Sequence, residues 1–463
     1  MRRYKSTLIA ALWLTAAGPL LAQGNNDLIA ASQGGASPLY FEVSPAVPLV
    51  KAGDFNHGKE CIPRNGLPAF FAKAKAGKPL LIAFIGGSIT QGNAGYRPQV
   101  LRYVKHMFPR NAITAINAGV SGTGTDLGAC RVQEQVLQYK PDLVFVEFAV
   151  NGAYAPGMEG IVRQVKAAGA EVCMIYTITG QQTAIYASGQ VPTSVQGLET
   201  VAAHYGVPSV HLGMEASFLE KEGKLTWKGH ANDTSGHILF STDGIHPLQA
   251  GGNLYAAAIA RSLEKLQRLP HKSASRQLPE PVFPDNWEGG RMYAPRSIAQ
   301  FSGSWEQITK PQFAAWFPAI EKTSEPGASF SFRFRGTGFG IFDIGGPDAG
   351  QITIEVNGRP MQVQPPLVPG TQVYRLVEGD SLPVNRFNSY CNNRYRGQHQ
   401  FFTLPEGNYT VTIRLSPQQP DKRAILGPQQ WEDITKHPEK YAQTALYLGR
   451  ILLKGVPVQP GGG

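Results

Sequence analysis

Between about residues 80 and 266, the sequence alternates short apolar runs with longer stretches of helical spacing. The apolar runs have the length of buried strands and lie at 80–85, 113–118, 143–150, 172–178 and 207–212. The stretches between and after them repeat apolar residues every three or four positions, which predicts helices over 97–108, 130–139, 160–168, 195–205 and 251–266. Strands that alternate with helices in this way predict a parallel sheet covered by helices on both faces. Such sheets bind their ligands beyond the carboxyl ends of the strands.

A different pattern begins after residue 270. Residues 271–291 are rich in proline and polar residues and predict a linker. Beyond it, short alternating runs predict strands at 329–335, 338–344, 351–356, 374–377, 409–415 and 445–453. The segments NG at 357–358 and EGN at 406–408 are typical of hairpin turns. Residues 292–457 are therefore predicted to form an antiparallel β-sandwich domain.

The first 22 residues have the pattern of an export signal. Basic residues at positions 2, 3 and 5 precede an apolar run from Leu8 to Leu21, which ends at Ala22. This order predicts a secretory signal peptide over residues 1–22. An uncleaved anchor is the alternative, but the run is short for a spanning helix and no later stretch reaches about 18 apolar residues. We therefore expect a secreted or periplasmic protein with no membrane span after cleavage, in which residues 23–77 form an N-terminal extension packed on the α/β domain.

Composition and charge exclude several classes of protein. The chain of 463 residues is 42% hydrophobic and contains 22 Phe and 17 Tyr, which is enough apolar material for a large core. A folded protein of more than one domain is therefore expected, rather than a disordered chain or a coiled coil. The formal net charge is +10, but three of the positive charges lie in the predicted signal peptide. Because no basic tract contains interleaved aromatic residues, nucleic acid is not an expected partner.

The cysteines and histidines give no indication of a metal site. The four cysteines, Cys61, Cys130, Cys173 and Cys391, allow three full disulfide pairings and form no C-x-x-C motif. Cys173 lies within an apolar run and is expected to be a buried thiol. The ten histidines include no H-E-x-x-H motif and no tight cluster with cysteine. Neither a metal nor another cofactor is therefore predicted.

Polar residues follow the predicted strands at four places. The first strand ends in GGSIT, where two glycines allow a sharp turn that aims Ser88 into the crevice. The second leads into VSGTG around Gly122, and the third ends in EFAVN with Asn151. Before the last helix, Asp243 precedes His246 by three residues, so its carboxylate can accept from Nδ1 and leave Nε2 to take a proton from a nucleophile. Each loop alone could be an ordinary or phosphate-binding turn, but the four together predict a serine nucleophile site.

These blocks, in this order, resemble the SGNH/GDSL hydrolase family over about residues 78–265. The resemblance implies a flavodoxin-like, three-layer α/β fold for residues 78–270 and a serine esterase that needs no cofactor. It also implies that Ser88, Asp243 and His246 are catalytic. The backbone N–H groups of Ser88 and Gly122, together with the side-chain amide of Asn151, would form the oxyanion hole.

A narrower resemblance concerns the β-domain. The stretches GLPAFFAKAKAGKPLLIAFIGGSIT and INAGVSGTGTDLGACR are similar to exported, glycan-associated members of the family, which usually carry an appended β-domain. The stretch GTGFGIFDIGGPDAGQITIEVNG is similar to the start of that domain. Two residues depart from the family pattern: Gly87 stands where Asp is more usual, and Gly152 replaces the Asp that usually follows the asparagine. The second departure is expected to leave Asn151 less firmly held, without removing a catalytic residue.

The predicted function is removal of O-acetyl or other short acyl groups from a carbohydrate, with an acetylated polysaccharide or a host glycan as substrate. In the β-domain, Tyr390, Arg394, Arg396 and His399 could stack on and hydrogen-bond sugars, although a solvated loop can have the same composition. One alternative is a lipid-directed esterase or thioesterase of the same fold, which the absence of a long apolar lid segment disfavours. Another is a non-catalytic glycan-binding protein with a decayed hydrolase domain, and a third is a β-domain that serves only assembly. The sequence does not indicate the oligomeric state.

Overall fold

The computed structural model describes residues 40–151, 153–230, 236–270, 277–309, 317–366, 368–380 and 382–459. These residues form an α/β unit followed by a strand-rich unit, the β-unit. The predicted signal peptide, residues 23–39 of the predicted extension, Gly152 and residues 271–276 of the predicted linker lie outside the described residues.

A six-stranded sheet forms the centre of the α/β unit. Its strands are β1 (Cys61–Ile62), β2 (Leu80–Gly86), β3 (Ile113–Gly119), β4 (Leu143–Glu147), β5 (Glu171–Tyr176) and β6 (Ser209–His211). Across the sheet the order is β1-β6-β5-β4-β2-β3, with β1 antiparallel to β6 and the other pairs parallel. Numbered by themselves, the five parallel strands follow the flavodoxin-like order 2-1-3-4-5, whose switch point lies between β2 and β4. The predicted parallel sheet is confirmed.

Helices cover both faces of this sheet. They are α1 (Pro68–Lys75), α2 (Ser88–Gln91), α3 (Arg97–Met107), α4 (Thr125–Gln135), α5 (Ala155–Ala167), α6 (Thr183–Ala187), α7 (Thr193–His204), α8 (Met214–Lys221) and α9 (Gln249–Gln267). Alternate residues of β2 enter different hydrophobic clusters: Ile82 and Phe84 pack on one face, and Ala83 and Ile85 on the other. Two short parallel strands, β7 (Leu225–Lys228) and β8 (Ile238–Ser241), precede the loop that leads into α9.

The β-unit is one continuous hydrogen-bonded sheet of eleven strands within the described residues. The strands are β9 (Gly290–Tyr293), β10 (Ala299–Ser302), β11 (Glu306–Ile308), β12 (Ile320–Thr323), β13 (Ser329–Gly345), β14 (Gln351–Val356), β15 (Arg359–Pro366), β16 (Val373–Glu378), β17 (Val384–Asn385), β18 (Arg396–Leu415) and β19 (Leu446–Pro457). Four short helices accompany them: α10 (Pro295–Ile298), α11 (Lys422–Leu426), α12 (Trp431–Lys436) and α13 (Pro438–Ala442). A strand-rich domain is thus present, but a sandwich of two separate sheets is not confirmed, and the pair β16–β18 is parallel.

One of the two predicted hairpin turns is wrong. The NG segment does join β14 to β15, with both residues at positive φ as a tight hairpin requires. The EGN segment instead lies inside β18, where Gly407 pairs with Gly336 of β13. The register between these long strands shifts after Gly336, so the residues before Gly407 form a bulge rather than a chain reversal.

The two units share a hydrophobic core. Phe342 of β13 and Phe401 of β18 belong to the same buried cluster as Leu127 and Val132 of α4. Because this core continues from one unit into the other, the β-unit is held against the α4 side of the α/β sheet by apolar burial. The face that carries β18 therefore stands next to the loops that precede α4.

The described part of the predicted linker is packed between the two units. Trp287 is 1% exposed and its main chain lies against Gly160 of α5, where any Cβ would collide with it. The backbone N–H groups of Val282 and Phe283 donate to the buried carboxylate of Glu159. These contacts fix the path of the chain between the units.

The four cysteines are free thiols, and all four are buried. The prediction of a buried thiol at Cys173 is confirmed. Among the described residues, no helix is long and apolar enough to cross a membrane.

Candidate active site

The nucleophile candidate lies at the switch point of the α/β sheet. Strand β2 ends at Gly86, and Ser88 is the first residue of the short helix α2. The first N–H groups of a helix have no acceptor within it, so the Ser88 backbone N–H is not used by α2. The Ser88 side chain lines a cavity and is 8% exposed. The turn predicted from GGSIT thus places the hydroxyl where parallel sheets bind ligands.

The loop between β8 and α9 brings Asp243 and His246 to this serine. His246 Nε2 lies 2.7 Å from Ser88 Oγ, and His246 Nδ1 lies 2.6 Å from Asp243 Oδ2. The other Asp243 oxygen accepts from the backbone N–H groups of Ile245 and His246. Burial alone would raise the pKa of the Asp243 carboxyl, but these hydrogen bonds outweigh it and hold the pKa well below its usual value. The carboxylate is therefore ionised and fixes the orientation of the imidazole.

Gly122 and Asn151 lie beside Ser88. Both residues line the cavity that contains Ser88 and His246. Gly122 has a φ of +70°, which favours glycine, and its loop is held by a 2.8 Å hydrogen bond from Ser121 N–H to the Gln91 side chain. The structure thus brings together all five residues predicted for catalysis and the oxyanion hole.

Gly87 has a steric reason to lack a side chain. A Cβ at this position would collide with the Asn151 side-chain nitrogen, the group predicted to bind the oxyanion. The glycine therefore lets the Asn151 amide lie against the turn that carries Ser88.

A buried carboxylate that the sequence analysis left without a role supports the nucleophile turn. Glu147, the last residue of β4, accepts hydrogen bonds from the hydroxyls of Thr90 and Thr177 at 2.9 and 2.6 Å. The backbone N–H groups of Gly87 and Thr90 also donate to it. Burial raises the pKa of Glu147, and the hydrogen bonds offset part of that rise. A charged residue at the end of an apolar strand was the signal that could have identified it.

Arg131 of α4 ties two loops of the site together. Its guanidinium donates to the carbonyl oxygens of Gly86 at 2.9 Å and Ala118 at 2.5 Å. These carbonyls lie at the carboxyl ends of β2 and β3, which lead to Ser88 and Gly122. Arg131 therefore fixes the separation of the two loops without touching the cavity.

The β-unit forms the second wall of the cavity, which has a volume of about 720 Å³. All four β-unit residues predicted to bind sugar line it, namely Tyr390, Arg394, Arg396 and His399. Tyr390 is 60% exposed, and the Arg396 guanidinium lies 4.9 Å from the centre of its ring. His399 Nε2 instead pairs with Asp126 of α4 at 2.9 Å. Sugar binding by these residues stays a prediction.

This arrangement can transfer a proton and stabilise an anion. A hydroxyl, an imidazole and an ionised carboxylate form one hydrogen-bonded chain, the relation by which a serine is activated as a nucleophile. Backbone and side-chain N–H donors adjoin the hydroxyl, where the negative charge of a tetrahedral intermediate develops. In the described part of the chain, no group of three or more His, Cys, Asp or Glu side chains could hold a metal ion.

Comparisons with known proteins agree with this geometry. Residues 84–254 match the family model of the GDSL-like lipase/acylhydrolase family. No curated protein sequence matches the chain. Two crystal structures of a two-domain esterase (CEX) active on acetylated mannans, one with mannopentaose, share 20% identity and TM-scores of 0.63 and 0.64. They cover 88% and 87% of this chain and 99% of their own, so both units of the fold are shared.

A third similar structure covers less of the chain. It is a catalytic mutant of Axe2, an acetylxylan esterase from Geobacillus stearothermophilus, with 19% identity and a TM-score of 0.33. The match covers 40% of this chain and 94% of Axe2.

Proposed function

Residues 84–254 belong to the GDSL-like lipase/acylhydrolase family, and from this premise we propose that the protein, a carboxylic ester hydrolase, removes O-acetyl groups from a polysaccharide. The observation that carries the proposal is the unbroken hydrogen-bonded chain from Ser88 through His246 to Asp243. Ser88 and His246 line a cavity that is formed by residues of both units.

In the first step, Ser88 Oγ attacks the carbonyl carbon of the ester while His246 Nε2 takes its proton. The oxyanion accepts hydrogen bonds from the backbone N–H groups of Ser88 and Gly122 and from the Asn151 amide. His246 then gives its proton to the departing sugar oxygen, which leaves an acetyl group on Ser88. A water molecule deprotonated by His246 attacks this acyl-enzyme, and acetate and free Ser88 are released. Asp243 remains ionised and holds the imidazole in one tautomer.

A carbohydrate substrate fits the walls of the cavity. The β-unit contributes mainly amide, guanidinium and hydroxyl groups, including those of Gln372, Asn385 and Gln400, and few apolar side chains. Such groups hydrogen-bond sugar hydroxyls, whereas a long acyl chain would need an apolar channel. The similar two-domain esterase acts on acetylated mannans, which supports an acetylated polysaccharide here.

The mechanism is tested by Ser88→Ala. We expect loss of 4-nitrophenyl acetate hydrolysis and loss of labelling by a fluorophosphonate probe, because both require the Ser88 hydroxyl. Ser302→Ala, at an exposed serine of β10, is the matched control and should retain both properties. Continued turnover by Ser88→Ala would refute the assignment, and absence of labelling in the unaltered protein would favour a decayed hydrolase.

Acyl-chain preference separates deacetylation from lipid hydrolysis. Rates on 4-nitrophenyl esters from C2 to C12 should be highest at C2. A maximum at C8 or longer would favour the lipid-directed esterase. Release of acetate from acetylated mannan, xylan and pectin would then identify the polymer.

We also propose that the protein acts outside the cytoplasm, because its basic and apolar first 22 residues have the order of a signal peptide. The exported protein should then begin at Gln23. Amino-terminal sequencing of protein from the periplasm or culture medium tests this, and an intact Met1 would contradict it.

A further inference from the structure

The cavity is lined by cationic side chains without carboxylates among its described lining residues. Three arginines from the β-unit face it, Arg386, Arg394 and Arg396, together with two histidines. The Asp243 carboxylate is bound to His246 Nδ1 and is not among the lining residues. The walls therefore favour a ligand that carries negative charge.

Two of these wall residues are already paired. Arg386 makes a two-point ion pair with buried Asp343, at 3.0 and 2.6 Å, and donates to Gln400. His399 is bound to Asp126. These side chains support the wall but have no free charge to offer a substrate.

Arg396 differs because its charge has no anionic partner among the described residues. Its buried Nε has no hydrogen-bond partner, and burial lowers the pKa of its guanidinium. Arg394, a second cation, also lowers this pKa, and its own Nε donates to the Tyr390 carbonyl. A desolvated cation with neither a counter-charge nor a hydrogen-bond acceptor is costly, and an anionic ligand would remove this cost.

The position of Arg396 indicates where that anion lies. The guanidinium contacts Gly122 so closely that a Cβ there would collide with Nη2, and it rests against the Tyr390 ring. Arg396 Nη2 lies on the side of Gly122 where a Cβ would be. The donors proposed for the oxyanion are different groups, namely the backbone N–H groups and the Asn151 amide. The free guanidinium therefore faces a substituent beside the scissile ester.

We infer that Arg396, assisted by Arg394, binds a carboxylate on the acetylated sugar, so that the preferred substrate is an acidic glycan. This inference rests on the proposed deacetylase function. A guanidinium presents two parallel N–H donors that match the two oxygens of a carboxylate. The Tyr390 ring lies 4.9 Å from the Arg396 guanidinium, and the neutral amides of the wall remain available for hydroxyls.

The test compares substrates that differ only in the carboxylate. Acetylated polygalacturonate and its methyl ester carry the same acetyl groups, and 4-nitrophenyl acetate carries no sugar. We expect the unaltered enzyme to prefer the free acid by roughly tenfold or more in kcat/KM, because charge-assisted hydrogen bonds are the strong ones. Arg396→Gln should abolish this preference, with a larger loss of kcat/KM on the free acid than on the methyl ester or on 4-nitrophenyl acetate. Arg335→Gln, at an exposed arginine of β13, is the matched control.

Two outcomes would overturn the inference. If the unaltered enzyme and Arg396→Gln both hydrolysed the acid and the ester at equal rates, the enzyme would not recognise the carboxylate. An equal loss on all three substrates would mean that Arg396 serves the oxyanion or the fold. O-acetylated sialic acid, assayed in parallel, distinguishes a sialic acid carboxylate from that of a uronic acid.

A binding measurement tests the carboxylate site independently of the proposed deacetylase activity. In the Ser88→Ala background, calorimetric titration with oligogalacturonate should show tighter binding than with its methyl ester, by roughly tenfold, and Arg396→Gln should remove the difference. This result would stand even if the unaltered protein hydrolysed no ester, in which case the deacetylase proposal alone would fail. Equal affinities for acid and ester would refute the carboxylate site.

Discussion

His399 of the β-unit forms a buried hydrogen-bonded pair with Asp126 at the start of α4, with 2.9 Å between Nε2 and Oδ2. The side chains are 2% and 3% exposed, and 273 residues separate them along the chain. Asp126 follows the loop that carries Gly122, and His399 lies three residues beyond Arg396 on β18. The pair therefore fixes the β-unit wall of the cavity relative to the loop that carries Gly122.

Asp126→Asn should destabilise the protein by about 2 kcal/mol at pH 7, because the charge-assisted hydrogen bonds to the buried carboxylate become weaker neutral ones. Burial would raise the pKa of Asp126, but His399 and backbone hydrogen bonds lower it overall. A lowered native pKa stabilises the fold above the unfolded value, near 4, and this contribution disappears as the pH falls through the native pKa. The difference in unfolding free energy between Asp126→Asn and the unaltered protein should thus shrink below pH 4.

Urea unfolding at pH 7 and at successive pH values from about 4 down to about 2 measures this difference. Asp380→Asn, at an exposed aspartate, is the control and should change stability by less than about 0.5 kcal/mol throughout. A deficit in Asp126→Asn that is the same at every pH would show that the ionised carboxylate is not its source.

Gly87→Ala should lower kcat for 4-nitrophenyl acetate by about a hundredfold. The new methyl group would displace the Asn151 amide, and removal of one oxyanion donor typically costs that much. Asn151→Ala should give a similar loss, and the double variant should be little worse than either single one. Gly289→Ala, where a Cβ has open space, is the control. Full activity in Gly87→Ala beside an inactive Asn151→Ala would contradict this explanation.

The clustering of the candidate catalytic residues could be predicted because it follows from local sequence and one topological rule. Ser88, Gly122 and Asn151 each follow a parallel strand, and parallel strands bring their carboxyl ends to one edge of the sheet. Asp243 and His246 are three residues apart, so a single turn holds them together. Neither relation needs knowledge of distant contacts.

The supports of the site could not be predicted in the same way. The Asp126–His399 pair depends on how the β-unit docks, and no local pattern encodes that. The bulge at Gly407 was mistaken for a hairpin because glycine suits both, and only pairing with Gly336 on β13 decides between them. The continuous sheet of the β-unit likewise depends on the long strands β13 and β18, and the alternating pattern predicted only segments of them.

Asp243→Asn should lower kcat by about 10³- to 10⁴-fold with little change in KM. An asparagine can donate to Nδ1, which would favour the tautomer whose Nε2 carries the proton and cannot accept from Ser88. Because hydrogen bonds hold the pKa of Asp243 well below its usual value, the carboxylate remains ionised at every pH above about 4. Burst kinetics with 4-nitrophenyl acetate would locate the defect in acylation, and a rate within tenfold of the unaltered enzyme would rule out this role.

Glu147→Gln should lower kcat by about tenfold while the protein remains folded. The carboxylate accepts from the hydroxyls of Thr90 and Thr177 and from the backbone N–H of Gly87, next to the nucleophile. A glutamine has one accepting oxygen, so a donor of the nucleophile turn would lose its partner and Ser88 would shift from its position for attack.

Burial raises the pKa of Glu147, which shows that its charge is costly to bury. The neutral amide of Glu147→Gln avoids this cost, so the loss of stability should stay below about 2 kcal/mol. The rate of fluorophosphonate labelling should fall together with kcat, since both depend on the position of Ser88. Glu406→Gln, at an exposed glutamate, provides the control. An unchanged labelling rate in Glu147→Gln would mean that the nucleophile turn keeps its geometry without this carboxylate.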